Sequence, residues 1–376
     1  MARGTARFAP NILKKLRASK SVDGRLLSAA ELAERLGTSK ARVLAYEAGT
    51  SVPEPARIMQ IAKVFSVHAR ELYEPSRGRP EQIKDLRSYA GLTAEEVAIE
   101  LGISRAAYRA IERHAVLPVR DDGTLPLRLA EVLNIPLPMI HRALDGHPVA
   151  QERREAIAGH LEEVFTRAAD LYQPAVINPG EPVLLEIAAL LRRPASVVCR
   201  LVNHELASYR FRLKRLEFAR LDEAYAQTPR AAADARKRIE KTLEAIRARP
   251  LHSATMLVRF LAEAMTSQQW RMMVGLLEHG QSRTPYDPSA GEDAAEAWRG
   301  LLARGFVIAE RDRHASEAVR MLITPDGWTR CADHAARYGC LYPRIAAPPP
   351  TRQLPNTVAA ALVVARRLQV QTPPES

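Results

Sequence analysis

Residues 29–48 read AAELAERLGTSKARVLAYEA, and residues 94–113 read AEEVAIELGISRAAYRAIER. Shifted by 65 positions, Ala33 falls on Ala98, Leu36 on Leu101, Gly37 on Gly102, Ser39 on Ser104 and Glu47 on Glu112. A repeat of this length is one structural unit used twice. Ser28 with Glu31, and Thr93 with Glu96, make capping boxes, so a helix starts after each. Gly37 ends the first of these helices, where left-handed backbone costs a glycine nothing. Ser39 and Ser104 then cap a second helix. The unit is helix, tight turn, helix, an arrangement suited to laying its second helix in the major groove of DNA.

Composition points the same way. The chain has 376 residues, a formal net charge of +12 and a pI near 9.9, which implies a polyanionic partner. Its length fits two to four small domains rather than one core. No long apolar run marks a membrane span, and the opening MARGTARFAPNILKKLRASK has no apolar signal core. A cytoplasmic, nucleoid-associated protein is expected. Cys199, Cys331 and Cys340 are odd in number and lack paired metal-ligand spacing, so they read as reduced thiols. Heavy use of Ala and Arg suits a bacterial genome.

Five segments follow from the pattern: 1–75 and 76–148 as two small helical units, 149–250 as a further helical region, 251–345 as a last domain and 346–376 as a Pro-rich, mostly disordered tail. In the first unit Ile12, Leu13 and Leu16 mark an opening helix. Gly49 and Pro53 stop the second helix of the repeat, and Arg57–Phe65 and Val67–Tyr73 close the bundle. EPSRGRPEQ links it to the second unit, where Leu86 opens the same order and Leu127–Leu133 and Met139–Leu144 complete it. Both units resemble the helix-turn-helix domain of the Cro and phage-repressor family. LSAAELAERLGTSKARVLAYEAGTSVP carries the pattern, including Glu47-x-Gly49. The second unit departs from it: His114 replaces the glycine, and VRDDGT is inserted before the next helix.

A third copy is weaker. EIAALLRRPASVVCRLVN places Ala188, Val198 and Leu201 at the spacing of Ala33, Val43 and Tyr46, with Arg192 in place of the turn glycine. HELASYRFRLKRLEFARLDEAY then reads as a basic helix with Leu206, Tyr209, Leu213 and Leu216 on one stripe, followed by a charged helix over residues 230–249. Residues 267–280 and 291–305 read as two more helices, and FVIAERDRHASEAVRMLITPDGW as strand, charged tip, strand and turn. This last segment resembles the winged helix of the multiple-antibiotic-resistance class of regulators, through Arg304, Gly305, Asp312, Arg313, Thr324 and Gly327. SRTPYDPS, between the two helices, is short for that family's middle helix. The expected fold is mainly all-α, with one β-hairpin between Phe306 and Ile323.

Chemistry follows from which side chains face out. Val43 and Tyr46 turn inward, leaving Lys40, Ala41, Arg42, Leu44 and Ala45 outward. The family resemblance makes Lys40, Ala41, Leu44 and Ala45 candidates for base edges, with Lys suited to guanine and Ala or Leu to a thymine methyl. In the second unit Tyr108 and Ile111 turn inward, while Arg105, Ala106 and Arg109 face out. Amides near Ser39 and Ser104 suit phosphate. Ser196, Val197 and Arg200 are the outward set of the third copy. Arg210, Arg212, Lys214, Arg215 and Arg220 make a phosphate-binding face, and Arg313 and His314 lie at the wing tip.

Glu47 and Glu112, at helix ends, read as structural acceptors for a backbone group or an Arg. No catalytic loop, cofactor fingerprint or metal motif is present, so no enzyme activity, metal or cofactor is expected. His160 with Glu162 and Glu163, and His204 with Glu205, read as solvent-facing polar groups.

The reading is a sequence-specific transcriptional regulator, a repressor on double-stranded DNA. The two units act as a built-in pseudo-dimer, or the helices from 205 to 249 pair two chains. The alternatives are a DNA-maintenance protein of a plasmid or phage, at an origin, partition site or chromosome end, and a recombinase accessory subunit.

Overall fold

A computed structural model of the chain describes residues 7–74, 80–118, 123–278, 292–311 and 319–346. The linker EPSRGRPEQ, the inserted VRDDGT, SRTPYDPS, the hairpin tip with Arg313 and His314, and the Pro-rich tail lie wholly or largely outside these residues. The protein is mainly helical, with a single two-stranded sheet among the described residues. It divides into two compact units, one built from residues up to 118 with 125–152, the other from 119–124 with residues 153 onward.

The first unit holds two small bundles. The first comprises α1 (Pro10–Ser19), α2 (Ala29–Arg35), α3 (Lys40–Glu47), α4 (Pro55–Val64) and a 3₁₀ turn (Ala69–Leu72). The second comprises α5 (Ile83–Tyr89), α6 (Ala94–Glu100), α7 (Arg105–His114), α8 (Leu125–Leu133) and α9 (Leu137–Asp145). The expected caps are present. Ser28 and Thr93 accept from the Glu31 and Glu96 amides at 3.2 Å, and the two carboxylates accept from the Ser28 and Thr93 amides in return. Each bundle closes on its own core. Leu13, Leu32, Val43, Ile61 and Leu72 are fully buried in one, and Val97, Tyr108, Ile111, Leu129 and Ile140 in the other.

The repeat runs further than the twenty residues that announce it. Leu13 and Arg17 on α1 correspond to Ile83 and Arg87 on α5 at an offset of 70, because the loop after α1 is five residues longer. That loop turns at Asp23 and Gly24, both at positive φ. At the far end, α4 and α8 both stop on a left-handed residue, Ser66 (φ 48°) and Asn134 (φ 51°). The next amide bonds back identically, Val67 to the Ala62 carbonyl and Ile135 to the Ala130 carbonyl, each at 3.0 Å.

Tyr89, at the end of α5, packs against both cores. Its ring lies edge-on to Tyr73 with centroids 4.9 Å apart, and the Tyr73 hydroxyl donates to the Ser88 carbonyl at 2.9 Å. Burial pushes the Tyr73 phenol up to about 12.

The second unit contains α10 (Pro148–Arg167) from Arg153 onward, α11 (Pro182–Leu191), α12 (Ala195–Ala224), α13 (Pro229–Arg247), α14 (Arg249–Ala262), α15 (Ser267–Glu278) and α16 (Glu292–Ala303). β1 (Val307–Arg311) and β2 (Val319–Ile323) follow as an antiparallel hairpin, with Val307 opposite Ile323, and α17 (Pro325–Leu341) ends the described fold. The hairpin stands where the alternation placed it. The Thr-Pro-x-Gly segment does not end in a turn, however: Thr324 accepts from the Gly327 amide at 3.0 Å and caps the 17-residue α17. Pro at the first helical position supports that start. Trp270 stacks on Tyr338 of α17 with centroids 4.3 Å apart, so this helix completes the core.

Candidate nucleic-acid interface

The turn between α2 and α3 needs a left-handed residue, and Gly37 supplies it at φ 60°. The Thr38 amide then bonds the Ala33 carbonyl at 2.9 Å, which satisfies a helix end and aims α3. Gly102 (φ 62°) and the Ile103 amide, 3.0 Å from the Ala98 carbonyl, repeat this between α6 and α7. Arg192 (φ 53°) and the Arg193 amide, 3.1 Å from the Ala188 carbonyl, repeat it again between α11 and α12. The turn between the paired helices is therefore the same in all three places, with an arginine in the third.

On α3, Val43 and Tyr46 face the core. Ser39, Lys40, Ala41, Arg42 and Leu44 are exposed and Ala45 is half-buried, so these candidates share one outer face. The Ser39 hydroxyl accepts from the Arg42 amide at 3.2 Å, which leaves the Lys40 and Ala41 amides at the positive end of the helix. On α7, Tyr108 and Ile111 are fully buried. Ser104, Arg105, Ala106 and Arg109 are exposed, and Ser104 accepts from the Ala107 amide at 3.1 Å. Arg105 lies 3.3 Å from Glu95, with both side chains more than half exposed and so weakly held.

The orientation of α3 and α7 is fixed from behind. Glu47 is buried and accepts from Arg17 of α1 at 2.5 and 2.9 Å, which raises the Arg17 pKa above its ordinary value. Glu112 accepts from Arg87 of α5 at 2.6 Å, with less than a tenth of either side chain exposed. Arg87 also donates to the Leu92 carbonyl at 2.8 Å. Both glutamates are the structural acceptors that their helix-end positions suggested. Their arginine partners were not singled out from the sequence, although each stands four residues after a core residue, Leu13 or Ile83.

Residues 23–72 match the helix-turn-helix family model. The match spans α2, α3 and α4. No curated protein and no solved structure matches the chain. The helix-turn-helix domain is a DNA-binding domain, and α3 lies within the matched residues.

Beyond that domain several expectations change. Arg200 does not face outward: its Nε donates to the Cys340 carbonyl at 2.6 Å, tying α12 to α17. Val197 is half-buried against the core, and of that outward set Ser196 alone is exposed. Arg210 is likewise structural, donating to the Ala168 and Leu171 carbonyls at 3.2 and 3.0 Å. Arg212 is partly buried, with its Nε sealed from solvent and unbonded. Lys214 and Arg215 remain exposed, and Arg220 pairs with Glu217 at 2.8 Å on the surface. Arg313 lies outside the described residues.

His204 and Glu205 are not a solvent-facing pair. Glu205 is fully buried and accepts from Arg249 at 2.7 Å, Ser253 at 2.8 Å and Arg337 at 3.0 Å. Burial works against its charge, but Arg249 and Arg337 outweigh that and hold its pKa below the ordinary value. His160 is also engaged, lying 3.1 Å from Glu186. Among the described residues no helix is long and apolar enough to cross a membrane, and no three His, Cys, Asp or Glu gather around a metal-sized site. Cys199, Cys331 and Cys340 are free, and burial pushes the Cys331 thiol up to about 12.

Proposed function

We propose that the chain is a sequence-specific transcriptional regulator, a repressor, that reads double-stranded DNA with two coupled helix-turn-helix modules presenting α3 and α7. The observation that carries this reading is Tyr89. It belongs to the edge of both bundle cores, so the second module is packed against the first rather than strung from it. Coupled readers lengthen the site and make engagement of the second module intramolecular, so modest single affinities multiply.

In the first module, Lys40, Ala41 and Leu44 would meet base edges, with Lys40 donating to guanine and Leu44 packing on a thymine methyl. In the second, Arg109 is long enough to bond guanine bidentately, and Arg105 would meet phosphate or base. The Ser39 and Ser104 helix starts would hold backbone phosphates. Arg42 adds charge that any sequence would feel. Blocking a promoter needs only occupancy, which such a reader provides.

The test is selection of bound duplexes from a random pool, followed by footprinting at several salt concentrations. A bipartite preferred site with a steep salt dependence supports the reading. A site covered by one module alone overturns the coupling. In the native genome, occupancy at promoters supports a repressor, whereas occupancy confined to repeated arrays at an origin or partition site would assign the protein to DNA maintenance.

A further inference from the structure

The outer side of α12 carries an aromatic stripe. Phe211, Phe218 and Tyr225 are 62%, 67% and 75% exposed, and Leu221 between the last two is 52% exposed. The aromatics stand at intervals of seven residues, so they lie nearly in line along the helix. The helix has its packing side elsewhere: Leu216 and Ala219 are buried, and α13 runs back along α12. The chain has seven phenylalanines. Phe8, Phe65, Phe165 and Phe260 are buried and Phe306 is half-buried, so both exposed ones stand on this one face. A contiguous exposed apolar stripe rimmed by charge marks an interaction surface.

The charges beside the stripe select its occupant. Lys214 and Arg215 are exposed beside its first half, and Asp222 beside its second. Asp222 shares an ion pair with Arg238 of α13 at 2.8 Å, yet both side chains stay more than half exposed. A second α12 laid parallel would set like charges together. Laid antiparallel, it brings Lys214 and Arg215 of one copy towards Asp222 of the other, and aromatic meets aromatic along the seam. DNA fits less well, because Asp222 would face phosphate. A fully covered aromatic side chain buries about 150–250 Å², and with about two thirds of each of these three still exposed they supply about half of the roughly 800 Å² per partner that a standard interface needs.

We propose that this face is a homodimer interface, in which α12 of one copy packs antiparallel on α12 of a second copy through Phe211, Phe218, Leu221 and Tyr225.

Sedimentation of the full chain, without DNA, tests this. The wild type should show a mass near twice 41.7 kDa at high concentration, dissociating on dilution. Phe218→Asp should sediment as the monomer while keeping the wild-type circular dichroism spectrum. Charge reversal gives a second measurement that leaves the apolar stripe intact. Lys214→Glu with Arg215→Glu should weaken dimerisation at least tenfold, and adding Asp222→Arg should recover most of it. A wild type that stays monomeric at every concentration overturns the proposal, as does a Phe218→Asp variant that remains dimeric. Failure of Asp222→Arg to rescue overturns the antiparallel arrangement. Gain of mass only when DNA or another protein is added would give the face to that partner instead.

Discussion

Arg17 donates to both carboxylate oxygens of Glu47, through Nε at 2.5 Å and an η nitrogen at 2.9 Å, across 30 residues of chain. The glutamate is the last residue of α3, and the arginine comes from the opening helix of the same bundle. The pair therefore sets the pitch of the helix that carries Lys40 and Leu44. Arg87 and Glu112 do the same for α7.

Removing one partner of the better buried pair leaves a charge with nowhere to go. Arg87→Ala should destabilise the first unit by about 3 kcal/mol, because it leaves Glu112 without its partner in a buried site. Arg87→Lys should recover only part, since an ammonium cannot reproduce the guanidinium's fork. Denaturant unfolding followed by circular dichroism measures this. A loss under about 0.5 kcal/mol, the size of an ordinary surface change, would show that the pair does not hold α7.

Side chains on the outer faces of α3 and α7 should report on DNA and not on folding. Lys40→Ala and Arg109→Ala should leave the melting temperature unchanged, and each should cost about 1–3 kcal/mol of specific affinity, the worth of one well-read base. Affinity for scrambled duplex should fall much less. Val43→Asp is the contrasting change, placing a charge in the core of the first bundle, and it should unfold that bundle. Titration of preferred and scrambled DNA side by side separates the cases. Specific affinity unchanged in both Ala variants would mean that these helices do not read the groove.

In the second unit, Glu205→Ala should be the costliest single change around its buried ion cluster. It leaves Arg249, less than a tenth exposed, and Arg337 facing each other without their shared carboxylate. The expected loss is about 3–5 kcal/mol. A variant in which Met replaces Glu205 and both arginines should lose less, because no charge is then stranded. A single Glu205→Ala variant as stable as the wild type would show that the cluster is not sealed from water.

Acid should loosen the second unit before the first. Burial, with help from the nearby Arg330 and Arg337, lowers the His334 pKa from 6.5 to about 4, against a small opposing effect of Asp333. The unfolded chain thus binds a proton there that the folded chain refuses, so stability is present above pH 6.5 and is lost as pH falls towards 4. His204 and Glu205 act in the same direction, both held below their ordinary values, His204 chiefly by burial and Glu205 by its arginines against burial. His334 is only about half-buried, so its share should be on the order of 1 kcal/mol after solvent screening. Melting curves of wild type and His334→Gln from pH 7 to pH 4.5 test it: the substitution should flatten the slope, and identical slopes would remove His334 from the account.

The features read correctly from the sequence are those whose causes are local. Ser28 and Glu31 are three residues apart, and Gly37 must turn within one helix end, so adjacent residues suffice to specify both. Val43, Tyr46, Tyr108 and Ile111 face inward because helical spacing leaves them no other side. The hairpin strands were equally plain in alternation. The helix α17 was hidden because Thr-Pro-x-Gly starts a helix as readily as it makes a turn, and the difference lies in the core that Tyr338 fills.

The basic helix shows where local reasoning stops. Arg200, Arg210, Arg212, Lys214 and Arg215 look alike in the chain, yet Arg200 is tied to a carbonyl 140 residues away and Arg210 to one 42 residues away, while Lys214 and Arg215 stay in solvent. Glu205 and Arg337 meet across 132 residues. Caps, turns and facing follow from interactions within a few residues, so the sequence by itself determined the helix-turn-helix geometry and the outward set on α3 and α7. Whether a charge is a ligand for DNA or a brace for the core depends on which distant carbonyl or carboxylate reaches it, and only the tertiary structure decided that.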